Sequence, residues 1–165
     1  MKRDKIKVLF DELKAKEATI YGWVRTNRAQ SQFGFLTVND GSTVLNLQVV
    51  YDNNLKNFEE ISKFRVGMSV KVVGEIILTP DAKQPLEMHA KEVIMLGDCP
   101  ENYPIQPKRH TPEFLRENAH LRARTNKFNA VFRIRSVAAM AIHSYFQSHG
   151  YLYVHTPLIT CADCE

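Results

Sequence analysis

The stretch from residue 18 to 52, ATIYGWVRTNRAQSQFGFLTVNDGSTVLNLQVVYD, constrains the fold more than any other, because it holds three strand-like runs separated by turn signals. In the second run, strict alternation sets Gly34, Leu36 and Val38 on one side and Phe33, Phe35 and Thr37 on the other. In the third, Leu45, Leu47 and Val49 oppose Val44, Asn46 and Gln48. The first run, residues 19 to 28, sets Ile20, Gly22 and Val24 against Tyr21, Trp23 and Arg25. One face is expected to be core and the other a working surface, with Arg25 on the latter. A solvated strand face ordinarily carries Thr, Lys and Glu. Two Phe and an amide, with Arg25 and Arg28 nearby, suit a platform on which single-stranded bases stack, at roughly 1 to 3 kcal/mol per base, while cations follow the phosphates. The alternative is that one Phe lies under a loop as core.

The flanking segments say what kind of sheet this is. Residues 2 to 16, with Ile6, Leu9, Phe10 and Leu13 near helical spacing, read as a short amphipathic helix covering one end of it. Gly34 marks a close backbone approach or a bulge, and Asn39-Asp40-Gly41-Ser42 is a hairpin turn signal. Leu55, Phe58, Ile61 and Phe64 predict one helix over 55 to 65. Strands at 68 to 78 and 86 to 96 follow, with Pro80 and Pro85 in the turn between them. Five short strands with a helix between the third and fourth is the order of an OB-fold barrel, whose binding surface lies on strands two and three. The fold class expected is therefore an all-β OB barrel, then a linker and a truncated α+β segment.

The linker is recognised by Pro100, Pro104, Pro107 and Pro112 in a stretch without apolar period. Thr111-Pro112-Glu113 then starts a short helix running to about residue 120. Residues 108 to 135 hold eight Lys or Arg against two Glu, which suits either phosphate contact or a solvated surface. Thr125 is expected to cap a long helix over 126 to 149, with Phe128, Val131, Phe132, Ile134, Ala138, Ala141, Ile142, Tyr145 and Phe146 facing apolar neighbours and Gly150 ending it. Residues 151 to 160 read as an extended segment interrupted by Pro157. One helix and one extended segment cannot bury their own apolar faces, so more chain or another copy is expected against them. The domains read as 1–97 for the barrel, 98–125 for the linker, and 126–165 for the start of a second domain.

Bulk properties exclude several classes. A chain of 165 residues with 44% hydrophobic and 24% charged residues is not disordered. No apolar run approaches the roughly 18 residues of a membrane span, and the first residues lack a secretory apolar core, so a cytoplasmic chain with no membrane partner is expected. A net charge of +4 is compatible with a polyanion partner without requiring one. The cysteines Cys99, Cys161 and Cys164 are an odd count that argues against disulfides, and the C-x-x-C of the last two lacks a second ligand pair for zinc and the helix start of a redox site. No metal site is expected.

Helix, Gly-Tyr, extended run and Pro, laid in order over residues 126 to 160, resemble motif 1 of the class II aminoacyl-tRNA synthetases, with Gly150, Tyr151, Val154 and Pro157 at that motif's positions. Gly22-Trp23-Val24 with Arg28, Phe35 and Gln48 is similar to the anticodon-binding barrel of the subgroup serving aspartate, asparagine and lysine. Phe33-Gly34-Phe35, Asn46-Leu47-Gln48-Val49-Val50 and Asp163-Cys164-Glu165 look most like its asparagine branch.

The resemblance implies that the barrel holds the central uridine of a tRNA anticodon. Phe35 would stack on the base, Gln48 would read its edge and Arg28 would assist, with Phe33 and Arg25 as neighbours. It implies a homodimer interface at motif 1 that includes Pro157, and a contact from Glu165 to the amino group of the amino-acid substrate. It also implies use of ATP and Mg2+ by an intact ligase. Motifs 2 and 3 have no counterpart in these residues, so this chain, read as the N-terminal part of such an enzyme, is expected to bind tRNA weakly, with no catalytic residue and no adenylate formation of its own. The alternatives are an aspartate or lysine relative, a free-standing OB module for single-stranded nucleic acid, and a dimerisation piece with Phe33 and Phe35 at a protein contact.

Overall fold

The computed structural model describes residues 3–156, so Pro157, Cys161, Cys164 and Glu165 lie outside the described residues. Five strands, β1 (Lys16–Ala29), β2 (Phe33–Asn39), β3 (Leu47–Asp52), β4 (Ser69–Leu78) and β5 (Leu86–Gly97), close into a barrel in the order β1-β2-β3-β5-β4. All neighbours are antiparallel except β3 and β5, which run parallel. That closure and order, with a helix between β3 and β4, are those of the OB fold.

Period-2 alternation decides which side chains fill the barrel. Ile20, Val24, Leu36, Val38, Leu47 and Val49 point inward and are buried, and Val70, Val72, Leu86 and Met88 complete the core. A helix, α1 (Ile6–Glu12), adds Ile6 and Leu9 to that core. Its first turn is held by the β2–β3 loop: Ile6 N donates to Asp40 Oδ2 at 3.0 Å and Lys7 N to Ser42 Oγ at 3.0 Å.

Three boundaries differ from the sequence reading. The third strand begins at Leu47, and Leu45 and Val44 are 50% and 46% exposed in the loop before it. The cause is Asn39, whose Nδ2 donates to Thr43 O, Leu45 O and Asn46 Oδ1, so this loop satisfies its carbonyls without joining the ladder. The helix expected over 55 to 65 is one short turn, α2 (Phe58–Ser62), because the chain before it is folded into turns by Asp52, whose carboxylate accepts from Asn54 N at 3.0 Å. Residues 151–156 form no strand ladder.

The proline-rich segment is anchored to the barrel. Cys99 and Ile105 are buried, and Tyr103 packs on the core. Gly67, at a φ of +93°, makes room: a Cβ there would lie 2.6 Å from Cys99 Sγ. Arg65 fastens the outside by pairing with Asp98 at 2.8 Å and Glu101 at 3.0 Å. Then come α3 (Pro112–Glu117), capped by Thr111, a 3-10 turn (Arg122–Arg124), and α4 (Asn126–Ser148), whose first turn donates Phe128 N to Thr125 Oγ1. Among the described residues most apolar side chains of α4 are exposed, Ile134 by 68%, while Phe128 is half-buried; the sequence reading expects further chain or another copy against this face. Arg133 reaches back from the helix body to the β2–β3 loop, donating to Gly41 O. No described helix is long and apolar enough to cross a membrane.

Candidate nucleic-acid interface

The outward side chains of four strands line up in two rows. In the first, ladder register sets Arg28 of β1 against Phe35 of β2, Phe35 against Val50 of β3, and Val50 against His89 of β5. In the second, Thr26 faces Thr37 and Thr37 faces Gln48, and the row continues to Glu87 through a hydrogen bond. A bulge in β1 between Val24 and Thr26 makes this possible. One extra residue there returns Arg28 to the outward side and turns Asn27 inward.

The platform consists of Phe35 and Phe33. Their rings meet edge to face with centroids 5.5 Å apart at 89°. Phe33 is 37% exposed and Phe35 half-buried, so neither belongs to the core. Gly34 between them meets an inward side chain: a Cβ there would collide with the Tyr51 ring. Tyr51 is in turn tied down by its hydroxyl, which donates to Asn27 Oδ1 at 2.8 Å. Asn27 Nδ2 donates to Ile61 O at 2.7 Å and also reaches Ser62 O and Phe64 O. The floor under the two phenylalanines is thus fixed by a polar network that spans β1, β3 and the end of α2.

Gln48 is oriented. Its Nε2 donates to Glu87 Oε2 at 3.2 Å, and Glu87 Oε1 is 3.1 Å from His89 Nε2. With the amide nitrogen pointing at a carboxylate, the carbonyl oxygen is left to accept from a ligand. Sequence reasoning missed Glu87 and His89. Their signal was the alternation of β5, where Leu86 and Met88 point in and Glu87 and His89 point out, but only the order β3-β5 brings them beside Gln48.

The cations of the face are unpaired. Arg25 and Arg28 have no carboxylate partner among the described residues, whereas Lys16, Arg65, Lys71, Lys91 and Arg116 all do. Arg25 lies at the bulge, half-buried, with Arg124 as a charged neighbour, and burial holds its guanidinium below the ordinary value. An arginine stays charged regardless, so this is positive charge without a counterion. Trp23 lies farther along β1, opposite Asn39 and away from the platform, with Arg124 4.5 Å over its ring. Among the described residues no group of three or more His, Cys, Asp or Glu could hold a metal ion.

Comparison with known proteins agrees with this geometry. Residues 18–96 match the family described as OB-fold nucleic acid binding domain, and residues 111–165 match tRNA synthetases class II (D, K and N). The asparagine–tRNA ligase of Clostridium botulinum (strain Eklund 17B / Type B) is 55% identical over 155 residues, which are 94% of this chain and 33% of that protein. That of Clostridium tetani (strain Massachusetts / E88) is 49% identical over 168 residues, 100% of this chain and 36% of that protein. The crystal structure of asparaginyl-tRNA synthetase from Pyrococcus horikoshii complexed with asparaginyl-adenylate superposes with a TM-score of 0.83 at 26% identity, over 96% of this chain and 37% of that one. An aspartyl tRNA synthetase from Entamoeba histolytica shares the fold at a TM-score of 0.79 and 18% identity, over 95% of this chain and 39% of that one. The chain spans about a third of the length of the curated relatives it matches. An OB barrel with an outward aromatic and amide face, followed by a segment that matches the class II tRNA synthetases, makes this chain a homologue of asparagine–tRNA ligases over nearly its whole length, at 49% to 55% identity.

Proposed function

We propose that this chain is the anticodon-reading region of an asparagine–tRNA ligase and that the outward face of β1, β2, β3 and β5 holds the central uridine of the anticodon. The observation that carries the reading is the juxtaposition of Phe35 with Arg28 and of Gln48 with Glu87. Phe35 supplies the stacking surface and Phe33 buttresses its edge. Gln48 reads the base. A uracil edge offers an N3–H donor flanked by carbonyl acceptors, and a carboxamide whose oxygen is free complements it. Cytosine offers an acceptor at N3, so it would need the amide turned over, which breaks the bond to Glu87. Arg28 and Arg25 neutralise the phosphates beside the base. Unstacked loop nucleotides are where RNA exposes such edges.

In the longer protein this region serves a homodimeric, cytoplasmic enzyme that activates asparagine with ATP and Mg2+ and transfers it to the terminal adenosine of its tRNA. Pro157 is assigned to the dimer contact and Glu165 to the amino group of the substrate. The test is binding of the purified chain to the anticodon stem-loop of asparagine tRNA and to the same stem-loop with cytidine at the centre, at one moderate salt concentration. Tighter binding to the uridine loop supports the reading, and equal binding refutes it.

A further inference from the structure

The row that runs from Arg28 through Phe35 and Val50 to His89 continues to Glu75 on β4 and Glu17 on β1, and so circles the barrel. His89 stands where the aromatic side of that row gives way to carboxylates. Glu87 lies two residues before it on β5, so strand alternation sets both side chains on one face. The imidazole Nε2 is 3.1 Å from Glu87 Oε1, and the other carboxylate oxygen, Oε2, accepts from Gln48 Nε2 at 3.2 Å. One carboxylate thus bridges His89 and Gln48, with a separate oxygen for each.

The Gln48 bond is at the long end of the ordinary range, and a glutamate held at one oxygen turns easily about its terminal torsion. A second hold at the other oxygen stops that rotation. The Glu87 side chain is only 22% exposed, so water competes for it weakly, whereas the His89 ring is 50% exposed and exchanges protons with solvent. Neutral imidazole holds Glu87 only in the tautomer with its hydrogen on Nε2, because the other tautomer turns a lone pair toward the carboxylate. Imidazolium donates from both nitrogens and adds charge. The other groups around the ring are Glu75, opposite it in the β4–β5 ladder, uncharged Val50 on β3, and Lys91 on β5, which is engaged with Glu17 at 3.2 Å.

We infer that His89 is a positioning residue for base discrimination: by holding Glu87 it fixes the Gln48 amide with its oxygen toward the ligand, and it holds more firmly when protonated. The inference rests on the reading of the face given above. His89 needs no contact with the base. A uracil N3–H meets the fixed oxygen, whereas cytosine requires the amide to turn over against Glu87. A firmer hold on Glu87 therefore widens the difference between the two bases instead of raising the affinity for both. The preference for uridine falls as pH rises through the range in which histidines lose their proton. A partly exposed ion pair sets the size of the change at about two- to fivefold in the affinity ratio.

The experiment measures the ratio of uridine to cytidine stem-loop affinities for the full chain at pH 6 and pH 8, above the acid range in which cytosine itself takes up a proton, in the wild type, His89→Ala and His89→Gln. The Gln48 side-chain amide of the RNA-free chain is followed by NMR over the same range. The inference predicts a wild-type ratio about two- to fivefold larger at pH 6 than at pH 8 and a low, pH-independent ratio in His89→Ala. In His89→Gln, whose amide donates to Glu87 at every pH, it predicts a ratio restored above that of His89→Ala and independent of pH. The Gln48 amide signal shifts with pH in the wild type and stays constant in His89→Ala. A wild-type ratio that does not change with pH overturns the inference, as does the same change in His89→Ala. Absence of a uridine preference at both pH values would instead refute the reading of the face, and the amide signal would still decide whether His89 holds Glu87 against Gln48.

Discussion

Arg28 stands directly opposite Phe35 in the β1–β2 ladder, so a cation with no carboxylate partner among the described residues is the cross-strand neighbour of an aromatic residue on the outward face of the barrel. The pairing depends on the β1 bulge, which shifts the register by one residue and turns Arg28 outward. A base on Phe35 brings its flanking phosphate to Arg28. Arg28→Ala is therefore expected to weaken stem-loop binding equally for uridine and cytidine loops and to flatten the salt slope by about 0.7, measured by fluorescence anisotropy across a salt series.

The support of the platform lies in Gly34. A Cβ at that position collides with the Tyr51 ring, which is held by Asn27 and has no room to swing away. Gly34→Ala is expected to destabilise the barrel by about 1 to 3 kcal/mol, read as a lower urea midpoint with the slope of the transition unchanged.

Discrimination at the centre of the loop is expected to depend on Glu87 as well as Gln48. Glu87→Gln replaces a carboxylate that only accepts with an amide that can accept or donate, so the Gln48 amide loses its fixed orientation. The expected result is cytidine binding that rises toward uridine binding, with little loss for uridine. An undiminished preference would show that Gln48 is held by the RNA alone.

Cys99 is buried where the proline-rich segment packs on the barrel, and burial pushes its thiol above the ordinary value. A raised value means less thiolate at any given pH, and the thiolate is the reacting form. Iodoacetamide at pH 8 should therefore modify Cys99 slowly in the native chain and rapidly in denaturant, followed by mass spectrometry of its peptide. Rapid native modification would mean that this segment separates from the barrel.

The barrel was legible because each strand has one buried face, and alternation alone sorts Gly34, Leu36 and Val38 from Phe33, Phe35 and Thr37. What escaped depends on side-chain bonds, strand neighbours and a bulge that alternation does not encode. Leu45 has the phase of a core residue, but the Asn39 side chain bonds the loop carbonyls and the ladder opens before it. Glu87 and His89 lie about forty residues from Gln48 and join it only because β3 and β5 are neighbours in the closed barrel. The role of the β1 bulge was equally hidden, since no local signal says that Arg25 leaves the row that Arg28 enters.

The most direct test of the account separates stacking from reading. Affinities of Phe35→Ala and Gln48→Ala are compared with wild type on the uridine and cytidine stem-loops at one salt concentration. Every base has a face to stack, so Phe35→Ala is predicted to weaken both loops alike, by about 1 to 3 kcal/mol. Gln48→Ala is predicted to remove the difference between the loops while costing the cytidine loop little. Retention of the full uridine preference in both variants would contradict the claim that this face reads the anticodon.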